Sequence, residues 1–483
     1  MRMFKDRDSR HAALALALMA LLGVLLIFLF PGSAEQDSGY HFQIALAAWK
    51  DPSCLVKVWG RPLYTTLFAI PAPLGLLAAR LLAVGVGVAT AWQTRRLAAE
   101  LHLGSTWLVV PILLAQPCFL ELFPDLLTEP LFALVFVIAL RFQLRGWKTR
   151  GMLVASLLPL ARPEGVFLCL LWGVWVIVES WRGDVSRGIT KLLRAALSTL
   201  PLASGVALWW LAALIITRDP LFILHDWPKQ WQQGTYGNGT LFSYTLRSPE
   251  FIGPLLIVPL LAGLFRAIRM REWMPVISSW LMFFILHSVF RAYGLFGEAG
   301  YPRYMVSVAP ATAMMTLFGW NRLAAMIPRR FAGFSAASGM AVLALSLAIS
   351  FLYKDSLIWS RDVVAIREMQ AWFQQNARPY RRLAWSNVDM CVLAHPGLDE
   401  RPVFGENRER NLDVLRQSPP GTLVFWDDHI GPDWFGIKAA DIETAGYQRL
   451  RTRHYSLPGV ILGGKICGWP MTREVELSLL YKP

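Results

Sequence analysis

Apolar residues fill the first 352 positions in runs separated by short polar breaks. The runs cover roughly 12–30, 65–92, 106–121, 126–142, 151–161, 165–179, 195–217, 251–265, 274–290, 304–319 and 334–352. A helix needs about 20 apolar residues to cross a hydrocarbon core about 30 Å thick, and several runs reach or approach that length. The pattern predicts about eleven transmembrane helices and a mainly α, polytopic membrane fold. Pro159 and Pro163 interrupt the region 151–165, so a hairpin turning inside the membrane fits its two halves. The first run follows the basic stretch MRMFKDRDSR and precedes Gly32, Ser33 and Ala34, as a signal peptide would. At about 19 residues it exceeds the usual apolar segment of such a peptide, so a retained first helix is expected.

From about 353 the pattern changes. Helical periodicity at 361–377 and 407–417 alternates with strand-like runs, Leu423 to Trp426 and Val475 to Tyr481. This predicts a small α/β domain over 353–483, following a membrane domain over 1–352. Neither a G-x-G-x-x-G nor a P-loop occurs, which argues against a nucleotide site. No internal repeat is evident, which weakens an inverted-repeat transporter reading.

Composition agrees with the membrane reading. Of 483 residues, 55% are hydrophobic and 17% charged, and the mean hydropathy is +0.42. The formal charge of +14 would suggest nucleic acid in a soluble protein. Here the basic residues cluster in short loops instead: Arg2 to Arg10, Arg95 and Arg96, Arg141 to Arg150, Arg182 to Arg194, Arg266 to Arg271, and Arg322 to Arg330. About twenty cations on that side face about nine on the other, which places those loops and the N-terminus in the cytoplasm. An odd number of spans then puts the C-terminal domain outside the plasma membrane, in a bacterium the inner membrane. Nucleic acid is not an expected partner, whereas membrane lipids are. The five cysteines show no C-x-x-C spacing; Cys118 and Cys169 lie in apolar runs, Cys391 and Cys467 in the C-terminal part.

The outer loops are longer and hold most of the loop acids, Trp, Tyr and Pro, as in the aromatic segment 218–250. Ionisable residues expected at or just inside the outer surface are Glu35, Asp37, Glu121, Asp125, Glu129, Glu164, Lys57, Arg61, Arg162, Arg291 and Arg303. Each such group is costly at membrane depth unless paired or solvated, so several from separate loops suggest one partly wet cavity. Asp125 and Glu129 stand four apart and share a face if helical. Arg303 and Arg61 offer guanidinium forks that match phosphate oxygens. Arg162 and Glu164 flank Pro163 and read equally well as a structural ion pair or as part of a site. His41 follows Asp37 by four residues, too weak a signal to assign a divalent metal, which stays open.

Four stretches carry the functional signal: EQDSGYH after the first run, FPDLLTEPLF before the fourth, ARPEGVFL at 161–168 and YPRYMVSVAP opening the tenth. In their order and common side they resemble the GT-C superfamily of integral-membrane glycosyltransferases, nearest to bacterial protein O-mannosyltransferase-like and lipid A aminoarabinose transferase-like enzymes. The resemblance covers residues 1–352. It implies a polyprenyl-phosphate sugar as donor, transfer with inversion on the extracytoplasmic face, and a glycan, lipid or protein as acceptor. It further implies that Asp37 acts as general base or orients the acceptor hydroxyl, that Asp125 and Glu129 position the acceptor or a metal, and that Arg303 with Tyr304 approaches the donor phosphate, where Arg61 offers a second contact. The family's paired Asp-Glu is here Glu35-Gln36-Asp37, which leaves Glu35 as the alternative base. Two other classes compete: a flippase for lipid-linked sugars, and a non-catalytic anchor presenting the C-terminal domain.

Overall fold

A computed structural model describes residues 2–29, 36–183, 188–228, 231, 237–328, 330, 332–352, 368–369, 371–372, 375–376, 382–385, 399–400, 408–428, 430–457 and 473–483. The chain divides into two compact units, one of Met1–Leu29 with His41–Tyr353, the other of Phe30–Tyr40 with Lys354–Pro483.

The first unit is helical throughout. Among the described residues four helical segments are long and apolar enough to cross a membrane: Arg7–Leu29, Leu76–Glu100, Leu193–Thr217 and Arg271–Tyr293. Three shorter apolar helices join them, Gly165–Trp181, Pro254–Ala267 and Ala337–Phe351. Every apolar run read from the sequence carries helix, but the runs differ in continuity. The first helix starts at Arg2, before the apolar run, because the charged N-terminal residues continue its turns. The run 65–92 becomes a short helix, Pro62–Phe68, a turn at Pro71–Gly75, and the long helix Leu76–Glu100. The run 106–121 is broken into Thr106–Leu108, Val109–Leu114 and Pro117–Leu122. Pro117 explains the last break: it lacks an N–H and sits at the first turn of its own helix.

The region 151–165 folds as two short helices, Lys148–Ala155 and Leu158–Ala161, then a turn into Gly165–Gly183. The turn is closed by the Gly165 amide donating to the Arg162 carbonyl at 2.9 Å. A Cβ at Gly165 would lie 2.4 Å from the Leu158 carbonyl carbon, so only glycine lets the two helices meet there. This tight hairpin fixes Arg162 and Glu164.

Ion pairs sit at both ends of the helices. At one end, Arg141 and Arg145 bridge to Glu100 at 2.5 and 2.7 Å, Arg95 to Asp8 at 3.4 Å, and Lys148 to Glu179 at 2.7 Å. Helix Glu129–Leu144 has Arg141 in its last turn and Glu129 in its first. A rise of 1.5 Å per residue separates these two by about 18 Å. The residues between them are apolar, and most are buried. A polar layer at each end of an apolar slab is what a bilayer requires.

The second unit contains a five-stranded sheet in the order β2-β1-β3-β5-β4, with β1 Arg382–Trp385, β2 Asp399–Glu400, β3 Thr422–Asp427, β4 Gln448–Leu457 and β5 Arg473–Tyr481. β1 pairs in parallel with β2 and β3, while β5 runs antiparallel to β3 and β4. Every residue of β3 is buried. Helix Arg408–Gln417 packs Leu415 into a core with Val424, Trp426, Ile437, Ile442, Tyr447 and Leu480. The α/β character read for 407–417, 423–426 and 475–481 matches these elements. The helical pattern at 361–377 falls mostly outside the described residues, as do Cys391 and Cys467.

Candidate active site

Six ionisable residues singled out in the sequence meet in the first unit, from four separate stretches of chain. Glu129 opens its helix, where the helix dipole favours a carboxylate. Its side chain is 1% exposed, and Oε1 accepts from Arg162 at 2.7 Å and lies 3.8 Å from Arg303 Nε. Arg162 also reaches Glu164 at 2.9 Å and the Thr128 hydroxyl at 3.2 Å. Its guanidinium stands 5.0 Å from the Tyr304 ring centroid. Arg303 lies over the rings of Tyr301 at 4.7 Å and Tyr304 at 5.9 Å. Both Arg162 and Arg303 are buried.

Arg61 completes the set. Its guanidinium stacks over Trp231 at 4.4 Å and donates to the Val58 carbonyl at 3.0 Å. Its backbone is at φ 59°, ψ 96°, outside the basin that non-glycine residues occupy comfortably, and Pro62 follows it. Strain of this kind persists only where surrounding contacts enforce it. Here the neighbouring Val58 amide is held by Asp226 at 2.7 Å.

The electrostatics follow from burial and close charge. Burial lowers the Arg61 guanidinium to about 10, with Glu164 and Glu129 opposing and Arg162 assisting. Burial alone would raise the Glu164 carboxyl, but Arg162 and then Arg61 hold it down at about 2. His41 is kept well below its ordinary value by burial and then by Arg61, Arg162 and Arg303, so it stays neutral. Its ring lies 4.6 Å from that of Trp59 and 5.1 Å from that of Tyr64. Among these five side chains, three guanidiniums face two carboxylates. Several polar atoms of the cluster are buried with no hydrogen-bond partner among the described residues: Arg61 Nε, Arg162 Nε, Glu129 Oε2, Glu164 Oε2 and His41 Nδ1. Buried polar atoms are rarely left so in the absence of a ligand or water.

Asp125 is buried; it accepts the Leu126 amide at 2.8 Å and acts electrostatically on Arg80, which donates to the Pro124 carbonyl at 3.1 Å. Asp37 is half-buried in the first turn of helix Gln36–Ala47, one turn before His41, and belongs to the second unit. Glu35 lies outside the described residues. Arg291 is engaged by backbone, donating to the carbonyls of Gly237 and Glu298 at 3.2 Å each. Among the described residues no three His, Cys, Asp or Glu side chains gather as metal ligands would.

Two residues at this end had escaped the sequence pattern. His287 is fully buried in helix Met274–Tyr293 and pairs with Glu298 at 2.7 Å. The only sequence signal was a histidine inside an apolar run, eleven residues before an acid in the following loop.

A bundle of apolar helices, with buried guanidiniums and carboxylates gathered at one end, defines a polytopic membrane protein equipped to hold an anion beside polar groups. No family model and no curated relative matches the sequence. The fold is nonetheless similar to that of ArnT from Cupriavidus metallidurans in the apo state, with a TM-score of 0.62 and 16% identity over 96% of this chain and 97% of that one. The structure of the same protein bound to undecaprenyl phosphate matches with a TM-score of 0.62 and 17% identity over the same shares. The fold of this chain is thus similar to that of ArnT over nearly its whole length.

Proposed function

We propose that this protein is an inverting membrane glycosyltransferase that takes a sugar from a polyprenyl-phosphate donor and passes it to an acceptor on the extracytoplasmic face. The observation that carries this reading is the set of buried Arg162 and Arg303 with half-buried Arg61, which outweighs Glu129 and Glu164 by one charge. A lipid phosphate is an anion that fits such a set. The likeness of fold to a protein crystallised with undecaprenyl phosphate supports the same ligand class.

The chemistry asked of these residues is modest. The leaving group is already a phosphate, so no strong general acid is needed. Arg303 and Arg61 bind the phosphate and stabilise the charge that grows on it as the glycosidic bond to phosphate breaks. Tyr304 supports the guanidiniums with its ring face. Glu129 holds Arg162 and Arg303 in register, because both guanidiniums converge on its Oε1, at 2.7 and 3.8 Å. Asp37, or Glu35 beside it, acts as the base for the acceptor hydroxyl, with Asp125 helping to place the acceptor. Attack from the face opposite the phosphate inverts the anomeric carbon. The N-terminus is cytoplasmic, and the domain over 353–483 is extracytoplasmic and helps to choose the acceptor.

Transfer assays in membranes with radiolabelled polyprenyl-phosphate hexose or pentose test this reading. Wild type forms a new glycosidic bond; Asp37→Asn loses roughly 10²–10⁴-fold in rate, the usual worth of a general base. Undiminished transfer by both Asp37→Asn and a Glu35→Gln variant would end the base assignment. Movement of the intact lipid-linked sugar across vesicles without bond formation would replace the enzyme with a flippase.

A further inference from the structure

The pair His287–Glu298 adjoins the cluster, yet binding a phosphate gives it no task. His287 Nδ1 lies 2.7 Å from Glu298 Oε2. The other carboxylate oxygen accepts the Tyr244 hydroxyl at 2.6 Å and the Gly300 amide at 2.9 Å. A carboxylate at Nδ1 makes that nitrogen the donor, so in the singly protonated ring Nε2 is an acceptor. Nε2 is buried and has no hydrogen-bond partner among the described residues. The imidazole is 5.2 Å, centroid to centroid, from the Tyr304 ring, the same ring that supports Arg162.

Glu164 offers a second acceptor. Oε1 is taken by Arg162 at 2.9 Å, whereas Oε2 is buried and unpartnered among the described residues. Arg162 links the two places: it holds Glu164 at 2.9 Å and stands 5.0 Å from the Tyr304 ring that His287 adjoins. An ionised phosphate cannot satisfy either atom, because it too only accepts. A buried acceptor left alone costs about 1–3 kcal/mol, so a hydrogen-bond donor is missing from this place. A sugar ring supplies such donors as hydroxyl groups.

We propose that His287 Nε2 and Glu164 Oε2 form an acceptor subsite for hydroxyl groups of the transferred sugar, with Glu298 as the positioning residue that fixes the imidazole tautomer. The phosphate and the sugar of one donor are then read by opposite chemistry, donors for the first and acceptors for the second. This rests on the glycosyltransferase reading and deepens it.

The test uses the polyprenyl-phosphate sugar that wild type transfers, remade with each ring hydroxyl replaced by hydrogen in turn. At one position or more, wild type loses roughly 10–100-fold in kcat/KM. His287→Asn keeps an amide donor for Glu298 but lacks Nε2. It is slow on the parent sugar and, within about threefold, equally slow on the analogue that wild type discriminates. Glu298→Gln weakens discrimination at that same hydroxyl and at no other. Glu164→Gln provides an independent arm if His287→Asn does not fold, and it too flattens the response at one hydroxyl. Discrimination kept in full by both His287→Asn and Glu164→Gln overturns the subsite, as does a wild type indifferent to every analogue, the result expected if water alone fills the place. If wild type transfers no polyprenyl-phosphate sugar at all, the subsite falls together with the reading beneath it; if transfer proceeds and only discrimination is unchanged, the subsite alone falls.

Discussion

At the scale of single residues, the site is organised by how charge behaves away from water. Arg162 illustrates this: one guanidinium reaches Glu129, Glu164 and Thr128 at 2.7, 2.9 and 3.2 Å. Removing one partner of such a buried network leaves the others uncompensated, which is why these carboxylates and guanidiniums come as a group. His41 shows the same physics in reverse, kept neutral by burial and by Arg61, Arg162 and Arg303. An unfolded chain protonates a histidine near pH 6.5, whereas this one resists the proton when folded. Acid therefore favours the unfolded state, and His41 contributes stability that is lost as pH falls from about 7 towards 5. His41→Phe, which keeps a ring beside Trp59 and Tyr64, is expected to flatten that part of the melting-temperature profile in detergent. An unchanged acid slope would mean that His41 titrates normally. Residue identity was legible wherever a charge stood near a predicted span end, as with Arg61, Glu129, Arg162, Glu164 and Arg303. His287 was not legible, because only its partner Glu298, brought near by folding, distinguishes it from a core histidine.

At the scale of elements, close approach explains what hydrophobicity alone could not. Helices Ile257–Ala267 and Ala309–Ala325 cross at Gly263 and Gly319. A Cβ at Gly263 would lie 1.9 Å from the Met315 carbonyl oxygen, and one at Gly319 1.8 Å from that of Pro259. Small residues let backbones touch in this way, which is how helices bind one another where lipid offers no hydrophobic gain. Gly319→Ala is expected to cost about 1–3 kcal/mol or more through overpacking. Gly85→Ala, in helix Leu76–Glu100 with open space at its Cβ, should be neutral or slightly stabilising, since alanine is the better helix former. Thermal melts of the two variants in one detergent check the contrast, and equal melting temperatures would refute it. Periodicity located the helices well and their breaks poorly. Runs such as 106–121 read as continuous because proline and buried turns keep an apolar composition while ending the hydrogen-bond ladder.

At the scale of the whole molecule, the chain separates a helical unit with polar layers at both ends from a mixed-sheet unit. The strand-like runs at 423–426 and 475–481 were visible in the sequence, and they form β3 and β5. The sheet order was not, because pairing β5 between β3 and β4 depends on contacts distant in sequence. The cation bias of the loops predicts that an alkaline phosphatase fused at the C-terminus is active and a fluorescent reporter there is dark; the opposite pair of results would invert the topology. The central claim is that the buried guanidiniums hold a lipid phosphate. Equilibrium binding of undecaprenyl phosphate to the purified full-length protein tests it most directly, with undecaprenol as the phosphate-free control. Saturable binding of the phosphate over the alcohol, weakened about tenfold or more by Arg303→Ala, is the predicted result. Equal binding of the two lipids, or a dissociation constant untouched by Arg303→Ala, would contradict it.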